Sequence, residues 1–406
     1  MKLLLIEPRT LFPAHSGAKI LSSNILRHLS NQHDVTMMVN VDPREPAENQ
    51  EQMRELCGHL VPVRWRERRN FTFPFYLELT KCMITGEVYA VKKFCTPALK
   101  ERAAQLAAEG GFDVVICDTL SAFMPDVDFG GTPCVLIAHN LEYRLRERQA
   151  ERAGRTLKAK YLRYYARKTK EFEVRSYQRA DHVVPVSAAD AEHIRTVLGI
   201  EHVTPLPPGV DAQYFSPGEP EAPEPGIVFT GSMDWQANMD ASEFFVLEVL
   251  PLLRKAFPRV RFSIVGRRPP PHIRALGEAD PDHVEVTGTV DDIRPYLARA
   301  QVAVVPVIFG SGIKIKVFEA MAMAKPVVVS TIGAEGLPLV HRENVLIADT
   351  PAAIAASCVE LLQDADLRRQ LGERARATVL AGHDWSVVAA ELGRICEDVA
   401  RRRKKR

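Results

Sequence analysis

The sequence predicts an α/β protein built from two doubly wound, Rossmann-like domains facing each other across a cleft. Short apolar runs rich in β-branched residues alternate with helical periodicity along the whole chain, the signature of a parallel sheet covered on both faces. That alternation pauses once, in the proline-rich stretch LPPGVDAQYFSPGEPEAPEPG. The length, 406 residues, exceeds what one hydrophobic core ordinarily serves, so two domains of about 150 to 200 residues are expected.

In the first series the strands are LLLIE, DVTMMV, FDVVIC, CVLIAH and HVVPVS, with the helix KILSSNILRHLSNQ after the first. The apolar run at the start is too short for a signal peptide, so Lys2 to Glu7 reads as a first buried strand. Domain one spans 1–206 and a linker spans 207–225, because proline fixes φ and removes a backbone donor. The second domain, 226–385, offers GIVFTGS, RFSIVG, VEVTGT, AVVPV, KPVVVST and NVLIAD as strands. Ligands of such folds bind beyond the carboxyl ends of strands and between domains.

Composition narrows the class. With 46% hydrophobic and 26% charged residues the chain reads as soluble and globular. No stretch approaches the 18 or so apolar residues that span a bilayer. Seven scattered cysteines without a CxxC pair argue for reduced thiols in a cytosol, against a disulfide framework and against structural zinc. The net charge is only +2 but uneven, with ten Lys or Arg against three Glu in residues 151–180 and RRRKKR at the end. The basic tail reads as solvated and disordered, with an anionic membrane surface as the next reading and nucleic acid as the last. The helix around Leu157, Tyr161, Tyr164 and Phe172 carries an apolar stripe that fits either a core face with a basic rim, the preferred reading, or docking on anionic lipid.

Polar residues that close predicted strands are the candidate site. The loop after the first strand ends on Ser16 and Gly17 at a helix start, which is either a tight turn or a place where a ligand meets the backbone. His139 ends CVLIAH and faces the cleft. Ser187, at the end of another strand, reads as a helix N-cap. In domain two, FTGSMDWQAN presents Gly231, Ser232, Trp235 and Asn238, and SIVGRRPPP presents Gly266 and Arg267, a residue suited to phosphate. The stretch VAVVPVIFGSGIKIKVFEAMAMAKPVVVS is strand, glycine turn, helix, strand, with the amides of Gly310, Ser311, Gly312 and Ile313 aimed at an anion and no Walker spacing. Lys316 and Glu319, three apart, share a helix face, whereas Lys314 and Lys316 diverge by about 200° if both are helical. Lys316 is therefore the lysine expected at the ligand, with a self-neutralising Lys316–Glu319 ion pair as the competing account.

Taken together, Ser16-Gly17, His139, PPGVDAQYF, FTGSMDW and above all GSGIKIKVFEAMAMAKPVVVSTIGAEGL resemble the GT-B-fold, nucleotide-sugar-dependent retaining glycosyltransferases of family 4. The resemblance spans nearly the whole chain. It implies that domain two binds the nucleotide diphosphate and domain one builds the acceptor site. It implies that Glu319 accepts ribose hydroxyls, that Lys316 holds the diphosphate, that Gly310 to Ile313 meet phosphate and sugar, and that His139 lies beside the transferred sugar. No metal or cofactor is implied, since lysine, amides and helix dipole neutralise the leaving group. The last helix, 386–406, is expected to return to domain one. Four features depart from the family, one being Ser16 in place of a glycine of the first loop. The family's paired glutamates, eight positions apart, retain only the second, because position 311 is Ser. Ser232 and Asn238 stand about where a loop Arg and Lys are usual. Pro208 replaces the asparagine of NGVD.

These readings imply a cytoplasmic or peripheral enzyme. It would move a hexose from a nucleoside-diphosphate sugar, with retention, to a glycan, lipid-linked or small-molecule hydroxyl in cell-surface polysaccharide or glycoconjugate synthesis. The alternatives are a nucleotide-sugar epimerase or hydrolase of the same fold and a catalytically silent subunit that binds nucleotide or a partner protein.

Overall fold

The structure, a computed structural model, describes residues 1–14, 16–67, 72–218, 226–310 and 314–404. It divides into two units, residues 1–207 with 388–406, and residues 208–387. In the first, β1 (Lys2–Glu7), β2 (Asp34–Val41), β3 (His59–Arg64), β4 (Val114–Asp118), β5 (Cys134–Ala138) and β6 (His182–Pro185) form one sheet in the order β3-β2-β1-β4-β5-β6. Every pairing in it is parallel. Chain order reverses between β1 and β4, so the topological switch point lies at the ends of these two strands.

β3 is the strand that the sequence pattern omits. It carries Pro62, opposite Val39, and sits at the sheet edge, where a residue without an N–H costs the ladder least. The central strands behave as buried parallel strands should. From Leu3 to Ile6 and from Val114 to Cys117 the side chains are shielded on both faces.

The second unit repeats the plan with β7 (Gly226–Thr230), β8 (Arg261–Val265), β9 (Val284–Gly288), β10 (Val302–Val305), β11 (Val327–Val329) and β12 (Leu346–Ile347), ordered β12-β11-β10-β7-β8-β9. All six match the expected runs. Here the switch point falls between β7 and β10. Its core joins Phe229, Phe245, Phe262 and Phe318, with the Phe245 and Phe262 rings stacked at 4.1 Å between centroids.

Three expectations need correction. The linker 207–225 is ordinary unit-two structure over residues 208–218, while 219–225 lie outside the described residues. Val210 donates its N–H to the His383 carbonyl at 2.7 Å, and Val210 and Ala212 are buried in the second core. Proline removes donors only at its own position, and the residues between the prolines pair and pack.

The basic end is likewise no loose tail. The helix Trp385–Lys404 continues through it, supported by the i,i+4 pair of Arg401 with Glu397 at 3.0 Å. Residues 405–406 lie outside the described residues.

The apolar stripe of the helix Leu157–Arg179 does not form a core face as a whole. Leu157 is 83% exposed, and Tyr161, Tyr164 and Phe172 are only partly buried. The buried face consists of Ala159, Ala166, Thr169, Glu173, Ser176 and Tyr177. Small side chains let the helix Glu142–Arg152 approach closely, and that leaves the larger ones at the flanks.

Candidate active site

In the second unit the site forms where β7, β8 and the segment after β10 meet at the switch point. Gly231 follows β7 and donates its N–H to the Val265 carbonyl at 2.9 Å. Gly266, after β8, packs so closely that an added Cβ would lie 1.7 Å from the Gly231 carbonyl oxygen. Neither turn has room for a side chain. The helix Ile315–Ala322 starts behind a turn in which Gly310 has φ of +131°, a conformation other residues rarely adopt. Ser311, Gly312 and Ile313 lie outside the described residues.

The absence of a side chain at Gly231 leaves a niche, and Lys316 fills it. A Cβ on Gly231 would stand 2.5 Å from the Lys316 Nζ. The ammonium donates to Asn238 Oδ1 at 2.6 Å and lies 4.3 Å from the centroid of the Phe229 ring, a cation–π contact. Asn238 in turn donates through Nδ2 to the Ser232 carbonyl at 2.7 Å, so its amide is fixed at both ends. Ser232 Oγ donates to Asp234 at 2.6 Å and accepts from Arg267 Nε at 2.7 Å. Arg267 is thus held beside the same turn, with Asp234 at 3.6 Å. Lys314 stands at the helix N-cap position, off the face that carries Lys316.

The Lys316–Glu319 ion pair of the competing account does not form among the described residues. Lys316 turns to Asn238, and among the described residues no group hydrogen-bonds or pairs with the Glu319 carboxylate. Both side chains are partly buried. Burial pulls the Lys316 ammonium down to about 7, opposed by the Glu319 charge and aided by that of Lys314. Burial likewise pushes the Glu319 carboxyl up to about 7, against the pull of Lys316. Two displaced ionisations at one strand-end crevice mark it as a candidate binding site.

A second cluster lies in the first unit, in a cavity of about 330 Å³. His139 follows β5, and its Nε2 makes a short ion pair with Asp118, the last residue of β4. Burial alone would raise Asp118, but the charge and hydrogen bond of His139, with the Glu7 carboxyl close by, hold it well below the usual carboxylate range. Burial would lower His139, and Asp118 overcomes this, so the ring is held as imidazolium. Glu7 ends β1 and its carboxyl reaches Asp118. Burial first, and the Asp118 charge second, push it well above the ordinary range. Gly17 opens the helix Gly17–Ser30, which Ser16 caps, and the next two residues, Ala18 and Lys19, line this cavity. Sequence reasoning found His139 and missed Asp118 and Glu7. The signal was present, since each closes a strand just as His139 does. Ser187 is an N-cap, its Oγ accepting from the Asp190 N–H at 3.0 Å, and has no part in the site. Among the described residues no cluster of three or more His, Cys, Asp or Glu is arranged to hold a metal ion.

Known proteins resemble this chain in sequence and in fold. Residues 224–364 match the model of the glycosyl transferases group 1, and residues 89–214 match that of glycosyltransferase family 4. The phosphatidyl-myo-inositol mannosyltransferase of Mycobacterium leprae is 34% identical over 159 residues, 38% of this chain and 42% of the relative. The chain thus matches under half the length of that relative. Among solved structures, sucrose-phosphate synthase from Thermosynechococcus elongatus superposes with a TM-score of 0.68 at 18% identity, covering 98% of this chain and 99% of the other. Anabaena HepE in complex with UDP gives 0.68 at 12% identity over 98% and 100% of the two chains.

The unpaired Glu319 carboxylate carries a stability signature. Its folded-state pKa is raised to about 7, so its cost to folding is absent below the unfolded-state value and complete above about 7. Glu319→Gln removes that cost. Its unfolding midpoint should exceed that of the wild type above pH 7, and the gap should narrow as pH falls. A variant less stable at high pH would show that the carboxylate has a protein partner after all.

Proposed function

The chain belongs to the group 1, family 4 glycosyltransferases of GT-B fold, and on that premise we propose that it moves a hexose from a nucleoside-diphosphate sugar to an acceptor hydroxyl with retention of configuration. The second unit holds the donor. Glu319 accepts the ribose hydroxyls, Lys316 and the amides that begin at Gly310 meet the diphosphate, and Arg267 lies at the same turn. The single observation that supports this reading is the pair of partly buried, mutually unpaired charges at the switch point, an arrangement that lowers stability unless a ligand completes it. The acceptor side belongs to the first unit, where His139 positions the reacting groups.

As the bond between the anomeric carbon and the phosphate oxygen breaks, the acceptor oxygen attaches to the same face of that carbon. The departing phosphate oxygen takes the acceptor's proton. Negative charge grows on the phosphate through this step, and Lys316 is placed to follow it. On this account no metal is required for leaving-group stabilisation. The mannosyltransferase relatives support a mannose-type hexose and a lipid-linked acceptor, and the neighbour solved with UDP supports a nucleotide donor.

A panel of UDP-, GDP- and ADP-sugars incubated without acceptor tests the reaction class. Slow hydrolysis of one donor is expected; an altered sugar would indicate an epimerase, and nucleotide binding without turnover a silent subunit. On the best donor, Lys316→Ala should lower kcat/KM about 10- to 150-fold, the loss of one charge-assisted hydrogen bond. Lys314→Ala should cost much less. Equal losses would contradict the assignment of the diphosphate to Lys316.

For peripheral membrane contact we propose one surface of the first unit. The helix Phe73–Thr85 exposes Phe73, Tyr76, Leu77 and Ile84. Tyr164 ties it to the basic helix by donating its hydroxyl to the Met83 carbonyl at 2.7 Å, and exposed Lys158, Lys160 and Arg163 lie on that second helix. Apolar side chains beside cations suit an anionic bilayer surface. No helix among the described residues is long and apolar enough to cross a membrane. The protein should sediment with anionic vesicles at low salt and detach at high salt, and Phe73→Ser with Ile84→Ser should weaken the association. Equal recovery from anionic and neutral vesicles would refute it.

A further inference from the structure

The cavity of the first unit contains polar groups that the fold leaves unsatisfied. Glu7 is 3% exposed, yet its Oε1 has no hydrogen-bond partner among the described residues. Thr119, next along from Asp118, holds φ of +87° and ψ of 156°, a region almost reserved for glycine that costs about 1–3 kcal/mol. Its Oγ1 is buried and unpartnered as well. Both residues line the cavity. A β-branched residue at a strained position, whose buried hydroxyl has no hydrogen-bond partner among the described residues, offers a polar group that a ligand can satisfy. Two cations complete the wall. Arg9 and the Lys19 ammonium have no partner among the described residues, whereas Arg146 is compensated by Glu142 at 3.8 Å.

The two carboxyls at the switch point cannot both ionise cheaply. Asp118 is committed to the His139 imidazolium, which leaves Glu7 to carry a proton and to donate it toward Asp118. The other Glu7 oxygen is then a neutral acceptor facing the cavity. We propose that Glu7 is an acceptor-binding residue, holding its proton and receiving a hydrogen bond from a ligand hydroxyl at Oε1, and that with Thr119, Arg9 and Lys19 it selects a polyol bearing an anionic phosphate ester. The inference rests on the transferase reading only in calling this ligand the acceptor.

Glutamine reproduces a protonated glutamate, an N–H donor toward Asp118 and a carbonyl toward the ligand, so the conservative variant is diagnostic. Binding to the full chain is measured calorimetrically with D-glucitol 6-phosphate, D-glucitol and inorganic phosphate, without any donor. The wild type should bind the phosphate ester at least about tenfold more tightly than either fragment. Glu7→Gln should bind it nearly as well, Glu7→Leu about tenfold less well, and Lys19→Ala should lose the preference for the ester over D-glucitol.

The pH profile separates this from a structural role. As pH rises through the raised Glu7 pKa, a second carboxylate forms beside Asp118 and the wild-type affinity falls. The groups facing Glu7 are Asp118 from β4, Arg9 from its own loop, and Ser22 and Lys19 from the helix Gly17–Ser30. His139, Glu142 and Arg146 share the cavity. Lys19, pulled below its ordinary range by burial and then by Arg9, also loses charge at high pH, but it does so in both proteins. The difference between wild type and Glu7→Gln therefore isolates Glu7, and it should widen with pH in favour of the variant. Parallel profiles, or Glu7→Leu binding as the wild type does, would overturn the proposal. Thr119→Gly should raise the unfolding midpoint, since relieved strain exceeds the added chain entropy, and weaken ester binding; a lowered midpoint would show that Thr119 is not strained for a ligand. Nucleotide titrations read the transferase account separately, since Lys316 and Glu319 belong to the other unit.

Discussion

The second unit is organised around one unfavourable placement, a lysine ammonium lodged against the backbone of a strand-end turn with no carboxylate among the described residues in ion-pair contact with it. Lys316 occupies space that exists only because Gly231 has no side chain, and that turn sits where it does only because Gly266 lets β8 close against it. Asn238 and Phe229 replace part of the lost hydration with an amide oxygen and a π face. They do not replace all of it, and burial leaves the group near 7. A structure selected for stability alone would have paired Lys316 with Glu319, one turn away, or replaced both. Keeping them apart leaves each with unused bonding capacity toward the same crevice.

The first unit solves a similar problem differently. Asp118 and His139 neutralise each other, and the excess is pushed onto Glu7, which remains an acid. Both arrangements stand at the point where chain order in a sheet reverses and the loops on either side diverge. The sheet supplies rigidity through strands buried on both faces, and the strand ends supply polar groups that the core cannot accommodate. Strain concentrates there as well, in the conformation of Thr119 and in the two displaced ionisations of Lys316 and Glu319. Such costs are affordable because the valine-rich strands behind them are so thoroughly buried.

How much of this the sequence discloses follows from which interactions are local. Eleven strands are legible because a buried parallel strand is a continuous apolar run. β3 is not, because Pro62 interrupts its signal and its edge position tolerates the interruption. The choice of Lys316 over Lys314 follows from helix geometry alone. The fate of Lys316 does not, since its partner Asn238 lies 78 positions away and the i,i+3 spacing to Glu319 suggests a nearer one. His139 stands out by its residue type, whereas Asp118 and Glu7 pass as ordinary strand-end carboxylates until the sheet order places β1, β4 and β5 side by side. Pairings across a sheet are invisible to periodicity, and the candidate site is made of them.

Gly231 matters because it houses Lys316. A double-mutant cycle on the affinity for the tightest-binding of UDP, GDP and ADP tests it directly. Gly231→Ala meets the flexible end of a lysine and an amide, so the chain should still fold while the ammonium is expelled. If the glycine acts through the lysine, Gly231→Ala and Lys316→Ala should each weaken binding to a similar degree and the double variant should be no weaker than either single one. Losses that simply add would show that the niche and the lysine serve the nucleotide independently, and would contradict the account.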